Sequence, residues 1–500
     1  MKITGLPDDL SVPMRDYIAS FPDGEIVAFP IGGIDASNIP VWIVALFTDD
    51  ARLAGTMPYG AGYGATDEQA ILGSLGEIAE MIFATLSGVC ADPVRGSYDD
   101  LVRSEGERAI ADPLALCLPA GSPVNRSTPL AWVRAKSWLD GRGVLVPVEL
   151  AAYLSSELPD GYEPFTTVIS NGAGAGPTLD WAIGHALCEI VQRDGNGLLF
   201  RALDRGVALE FDNDMPPAAA ALRDRFEAAG IDVIPKYASD EFGIPNLYCV
   251  GVDCDGQPPV PIMATACGEG CHPDRETALV KALTEYAASR TRKAFAHAPL
   301  GLASRYAPDG YIERYVAGAK IGAQEPRALR EMQTWRRQDA ATLRRWLSDN
   351  MLSRRSGHKF SALPSNAAAG GAGRASMMKR LLADAGFDIL YVDQTPPGAA
   401  MRSVKVIVPG MEVETMSYGR IGARGARKLI DMDSALITFD SALPGAQPIR
   451  MPPEQLATYD RPPLFDYAEA ERLVGPLYPL YREPEAHAAA WADAKKGGDG

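Results

Sequence analysis

Apolar and polar positions along the chain follow two periods. Runs rich in branched and aromatic residues, such as Ile389-Leu390-Tyr391-Val392 and Val404-Lys405-Val406-Ile407-Val408, predict strands. Among them lie helix-period stretches such as Ala218 to Ala229. That stretch stops at Gly230, where a C-cap glycine is expected, and leads into the short strand Ile231-Asp232-Val233-Ile234. The pattern predicts an α+β fold in which helix then strand is the recurring unit.

Three segments share one frame. The first is Gly62-Tyr63-Gly64-Ala65-Thr66, then Ala70, Leu75 and Glu77; the second is Gly174-Ala175-Gly176-Pro177-Thr178, then Ala182, Leu187 and Glu189. The third is Gly268-Glu269-Gly270-Cys271-His272-Pro273, then Ala278, Leu283 and Glu285. In each, the glutamate follows the alanine by seven positions and the leucine by two. A glycine-rich turn before a helix start brings backbone N–H groups and a helix N-terminus close to an anion, phosphate above all.

Seven residues make nearly two helical turns, which puts alanine and glutamate on one stripe. In the first helix the apolar set Ile71, Leu72, Leu75 and Ile78 lies to one side, leaving Glu77 and Glu80 at the margin of the buried face. Carboxylates there are costly unless paired or bound to a cation. Three helices each presenting a carboxylate, with Glu80 beside Glu77, suit Mg²⁺, which takes oxygen ligands shared with nucleotide phosphates. The competing reading is an old duplication whose glutamates are exposed or paired with arginines such as Arg193 and Arg290.

Composition narrows the class. With 47% hydrophobic and 22% charged residues over 500 positions the chain is globular rather than disordered or disulfide-built. A net charge of −16 argues against general binding of nucleic acid. The longest purely apolar run, Val41 to Phe47, is far shorter than the ~20 residues of a membrane span. The acidic start and the seven cysteines fit a reduced, cytoplasmic protein.

Three regions are expected: an N-terminal extension over 1–34, a main domain over 35–430, and a proline-rich C-terminal extension over 431–500 ending in a frayed tail from Lys495. Within the main domain, 297–375 reads as an arginine-rich helical insertion with a largely solvated face, ending in a flexible loop over Ala369 to Arg374. Cys249, Cys254, Cys267 and Cys271 lack zinc-knuckle spacing and are expected to be buried thiols. His185, one turn before Glu189, is expected in a hydrogen-bonded core position. Neither a P-loop nor a nucleophile-elbow motif is present.

From about Ala36 to Leu429 the sequence resembles the YcaO family, whose members use ATP and Mg²⁺ to phosphorylate a peptide backbone amide oxygen. The likeness is carried by the three segments, by Ser170-Asn171-Gly172-Ala173, by Ala186-Leu187-Cys188-Glu189-Ile190-Val191-Gln192-Arg193-Asp194, by Ala282-Leu283-Thr284-Glu285 and by Val406-Ile407-Val408-Pro409-Gly410-Met411-Glu412. It implies a YcaO-like fold, with mixed sheets and helices framing an ATP and Mg²⁺ site. It also implies that Glu77, Glu80, Glu189 and Glu285 are metal-binding and that Arg193 and Lys281 act on phosphate as catalytic cations. Gln192, where members have glutamate, keeps a carbonyl oxygen that the resemblance implies could still face Mg²⁺. Other positions depart from the family: Tyr63 for lysine, Gly73 for serine, Met81 for arginine, Pro177 for asparagine, Trp181 for glutamate and Ala288 for glutamine.

The resemblance implies a peptide substrate and a partner protein, either TfuA-like or a leader-peptide-binding adenylating-type protein, with room for a homodimer. It places thioamide formation first and azoline cyclodehydration next, because the proline-rich extreme C-terminus of azoline-forming members gives way here to Gly-Gly-Asp-Gly. The alternative is a non-catalytic subunit that binds peptide or partner.

Overall fold

The computed structural model describes residues 1–319, 321–367 and 373–497. Three sheets form its frame. The first runs Lys2–Thr4, Glu25–Pro30, Val41–Phe47, Tyr59–Tyr63, antiparallel apart from the parallel first pair. A six-stranded antiparallel sheet runs Val94–Ser97, Pro129–Ser137, Leu390–Asp393, Arg402–Ile407, Ala173–Gly176, with Gly143–Pro147 on the side of Pro129–Ser137. The third runs Gly268–Cys271, Asn246–Asp253, Ile231–Ser239, Val207–Glu210, and adds Ser356–Lys359 in parallel from the arginine-rich region. The arrangement is α+β, as the residue pattern predicts.

In each sheet one edge strand is glycine-rich, and each is followed at once by a long helix. Tyr59–Tyr63 (β1) precedes Asp67–Ser87 (α1), Ala173–Gly176 (β2) precedes Leu179–Asn196 (α2), and Gly268–Cys271 (β3) precedes Arg275–His297 (α3). Strand alternation distributes the core. In Val41–Phe47, Trp42, Val44 and Leu46 pack against Ile71, Leu75, Ile78 and Phe83 of α1, while Val41, Ile43 and Ala45 face Phe295, Tyr311 and Tyr315. By length and apolarity α1 alone among the described helices suits a membrane span. Here its Ile71, Leu75, Ile78 and Phe83 are wholly buried in the core, each worth ~1.5–3 kcal/mol over exposure.

Helix α3 is tied to the loop after Glu25–Pro30 and to the end of the strand Asn246–Asp253 through Arg290, which is wholly buried and meets Asp35 at 3.1 Å and Asp253 at 2.8 Å. Arg290 therefore pairs with aspartates, not with a glutamate of the three-part frame. The 1–34 stretch supplies two strands of the first sheet. The arginines of 297–375 are largely paired, with Arg327 on Glu471, Arg336 and Arg337 on Asp493, and Arg354 on Asp232. Residues 368–372 of the expected flexible loop lie outside the described residues; Gly373 and Arg374 open the helix Gly373–Asp384. The tail expected to fray from Lys495 is helical to Gly497, because Ala488, Ala489 and Ala490 anchor the helix Ala488–Gly497 in the core.

Candidate functional site

The three edge strands lie against their own helices at backbone contact. A methyl group at Gly62 would fall 2.0 Å from the Ala70 carbonyl oxygen, at Gly174 2.4 Å from that of Ala182, and at Gly270 2.1 Å from that of Ala278. Only glycine admits that approach. Each helix start is capped alike: Thr66, Thr178 and Asp274 accept from the backbone N–H of Gln69, Trp181 and Thr277. The shared residue frame thus marks a shared local geometry.

An edge strand leaves N–H groups without a neighbouring strand. Side chains from the helices take them: Glu77 accepts from Ala61 N–H at 2.8 Å, and Glu80 accepts from Ala175 N–H of β2 at 3.0 Å. The Tyr63 hydroxyl of β1 donates to Glu285 of α3 at 2.7 Å. The first unit thereby bonds both of the others.

Between the three helices opens a cleft of about 410 Å³. Helix α1 lines it with Glu77, Glu80 and Met81, α2 with His185, Glu189, Gln192 and Arg193, and α3 with Lys281, Glu285, Ala288, Ser289 and Arg292. Every residue the sequence reading singled out as a binding, metal or catalytic candidate therefore faces this one space. Glu77 is open to solvent within the cleft, whereas Glu80, Glu189 and Glu285 are half-buried.

Enclosure by protein raises the pKa of all four carboxyls. Glu80 is pushed up to about 8 by burial, then by Glu189 and Glu77, against the Ala175 N–H. Glu77, though open to the cleft, is lifted by desolvation from the surrounding walls, opposed by its N–H bond and Arg292. Glu189 and Glu285 are raised by burial against Arg193 and Lys281 respectively. Behind them Glu269 is the counter-example. Burial would lift it too, but Arg201 at 2.8 Å, Arg193 at 4.0 Å, and bonds from Asn196 and Gln192 hold it below the usual carboxylate range.

Several placements differ from expectation. His185 is not a hydrogen-bonded core residue: its side chain is 37% exposed in the cleft, 4.0 Å from Glu80, and stacks on Trp181. Burial, with Lys281 and Arg374 nearby, lowers its pKa to about 3. Trp181 is absent from the cleft lining and lies under the Arg374 guanidinium at 4.5 Å. Of the four cysteines expected to be buried thiols, Cys249 and Cys271 are buried, Cys254 is exposed and Cys267 lines the cleft.

Sequence reasoning missed Arg292, although it stands seven positions after Glu285 on the same face of α3. It also missed Lys405 and Tyr153. Lys405 is 2% exposed, donates to the Ile169 carbonyl and stands behind Glu189; burial lowers its pKa to about 8, with Glu189 opposing the shift. Tyr153 enters the cleft from the stretch after Gly143–Pro147. The one available signal for Lys405 was a lysine in the otherwise apolar run Val404 to Val408.

The lining suits a divalent cation with a phosphate ligand. Its donors are hard oxygens in excess of hydrogen-bond partners, and Gln192 Oε1 is buried with no donor. The raised carboxyl pKa values show desolvation that the nearby cations only partly offset. Arg193 and Lys281 stand across the same space for phosphate oxygens. Among the described residues no three acidic, histidine or cysteine side chains are close enough to enclose an ion by themselves. The fit is therefore to a cation that also takes ligands from a bound phosphate.

Comparison with known proteins agrees. The chain is 27% identical over 400 residues to an uncharacterized protein of Methanothermobacter thermautotrophicus, covering 78% of this chain and 90% of that one. It is 27% identical over 267 residues to an uncharacterized protein in the tfuA 3′ region of Rhizobium leguminosarum bv. trifolii, covering 51% of this chain and 59% of that one. Among solved structures, a heterocyclase in complex with substrate and cofactor superposes with a TM-score of 0.59 at 18% identity, over 85% of this chain and 55% of that one. The YcaO protein of Methanopyrus kandleri bound with AMPPCP and Mg²⁺ superposes with a TM-score of 0.51 at 18% identity, over 79% and 89%. These likenesses show a common fold. The family model described as YcaO cyclodehydratase, ATP- and Mg²⁺-binding, matches residues 61–412. This chain is a member of the YcaO family.

Proposed function

We propose that this chain uses ATP and Mg²⁺ to activate a peptide backbone amide by phosphorylating its oxygen, during modification of a ribosomally made peptide or a protein. The observation that carries the reading is the meeting of Glu77, Glu80, Glu189 and Glu285, from three helices distant in sequence, with Arg193 and Lys281 on one cleft. When bound, Mg²⁺ supplies charge neutralisation to phosphate oxygens. The carboxylates are the residues that would hold it, with Gln192 Oε1 as a neutral addition.

Arg193 and Lys281 then orient and neutralise the transferring phosphoryl group. Arg193 offers a fork and Lys281 a point charge. A backbone amide oxygen is a poor leaving group. Once it carries the phosphoryl group of ATP, and a nucleophile has added to the carbonyl carbon, the C–O bond breaks and phosphate departs. A sulfide nucleophile gives a thioamide; a Cys, Ser or Thr side chain gives an azoline.

Thioamide formation is the first reading, with a TfuA-like partner, because one relative is named for its place beside tfuA. Azoline formation with a leader-peptide-binding partner is the second. A cytoplasmic location and a homodimer belong to the same proposal. The non-catalytic reading draws on the uncharged Tyr63, Met81 and Trp181 and on carboxylates that do not enclose an ion by themselves.

Purified protein with ATP, Mg²⁺, candidate peptide and sulfide is expected to release phosphate. Glu77→Gln and Glu285→Gln should each lower that rate by roughly 100-fold or more. Intact mass separates oxygen-for-sulfur exchange from loss of water. Peptide binding without phosphate release under any condition supports the non-catalytic subunit.

A further inference from the structure

The cleft extends beyond the residues given roles above. On α3, Arg292 follows Lys281 by eleven positions and Glu285 by seven. It therefore continues the same stripe, about 16 Å along the axis from Lys281 at 1.5 Å per residue. It lines the cleft together with Tyr59 and Glu77, and Tyr63 and Met81 of that lining carry no charge. Its side chain is 43% exposed, in contrast to the neighbouring Lys293 at 2%.

What holds Arg292 comes from the far end of the chain. Glu483 lies 3.7 Å from its guanidinium, and among the described residues Arg292 has no other ion pair and no side-chain hydrogen bond. Glu483 is itself fixed: Lys293 Nζ meets one carboxylate oxygen, and His297 Nε2 lies 3.3 Å from the other. Glu485 accepts from Tyr315, and His487 is wholly buried, so the segment is anchored directly after Glu483. Glu483 raises the Arg292 pKa against burial, and Tyr59, Glu77 and Glu285 add to it. The guanidinium is thus a permanent cation with its N–H fork free of hydrogen bonds. It stands beside two carboxylates that the proposed function assigns to a metal.

A guanidinium fork matches paired oxygens of phosphate, and one steadied by a carboxylate behind it is pre-organised for that match. We propose that Arg292 binds phosphate oxygens of the nucleotide in this cleft and that Glu483 is its positioning residue, so that the C-terminal segment forms part of the nucleotide site. This rests on the ATP reading above and adds a residue and a chain segment to it.

The test is calorimetric titration of the full chain with Mg²⁺·AMPPCP and with adenosine. Arg292→Gln is expected to weaken AMPPCP by ~10- to 100-fold, the worth of one to two charge-assisted hydrogen bonds, and to leave adenosine unchanged. Arg292→Lys should restore part of the loss. Glu483→Gln should weaken AMPPCP in the parent chain and add nothing on top of Arg292→Gln, because the two act as one unit. Undiminished AMPPCP binding by Arg292→Gln overturns the proposal alone. So does an equal loss for adenosine, which marks a general structural effect. A parent chain that binds neither ligand overturns the ATP reading and this proposal together.

Discussion

The Tyr63 hydroxyl donates a 2.7 Å hydrogen bond to Oε2 of Glu285, joining residues 222 positions apart in the chain. It ties the strand before α1 to the carboxylate of α3, and so helps fix how those two units face each other across the cleft. Tyr63→Phe removes the donor and leaves a carboxylate enclosed by protein without it, at a cost of ~1–3 kcal/mol. Urea unfolding should show that loss, and Mg²⁺ should recover part of it by taking over the orphaned oxygen.

Backbone contact between edge strand and helix predicts steep intolerance at the frame glycines. Gly174→Ala would put a methyl 2.4 Å from a helix carbonyl oxygen, and should cost about 3 kcal/mol or more, since neither backbone yields cheaply. Gly143, where an added methyl meets nothing within 4 Å, is the control, and Gly143→Ala should stay within ~0.5 kcal/mol. Thermal melts of the two variants check the contrast.

The Glu80 carboxyl, at about 8 instead of 4.5, gives the pH dependence a definite sign. Between about pH 4.5 and 8 the metal-free folded chain holds a proton that the unfolded chain has released. This group therefore favours folding at the acid end, and its contribution fades as pH rises to about 8. Mg²⁺ competes with that proton, so apparent Mg²⁺ affinity should fall by roughly tenfold from pH 7 to pH 6. Titration at both values checks this, and Glu80→Gln should flatten the dependence.

Arg290→Met tests the internal brace. Arg290 is wholly buried between Asp35 and Asp253, and its loss strands two aspartates, at ~3–5 kcal/mol. Denaturant unfolding should report this with the slope unchanged, and loss of stability should exceed that of any single exposed arginine of 297–375.

The carboxylates were legible in the sequence because a helix repeats its face every seven residues, so a fixed interval from the glycine turn to the glutamate survives as a pattern. Helix and strand at 217–239 were legible for the same local reason, with Gly230 ending one at φ +73° before the other begins. Arg292 obeyed that interval and was overlooked. Lys405 and Tyr153 obey none, since Tyr153 enters the cleft and Lys405 stands behind Glu189 from other elements. Glu269 stood in the third segment, yet its partner Arg201 is set by tertiary packing. His185 was misjudged because one helical stripe serves both core and cleft, and the stripe alone does not say which wall is missing.

The central claim is that three helix stripes jointly hold the magnesium of a nucleotide. A crystal structure of the full chain with AMPPCP and Mn²⁺, the metal placed by its anomalous signal, tests it most directly. The account predicts metal in the cleft with oxygens of Glu77, Glu189 and Glu285 among its ligands at ~2.0–2.3 Å, shared with phosphate. Nucleotide bound elsewhere, or metal held by phosphate with all three carboxylates turned away, would contradict it.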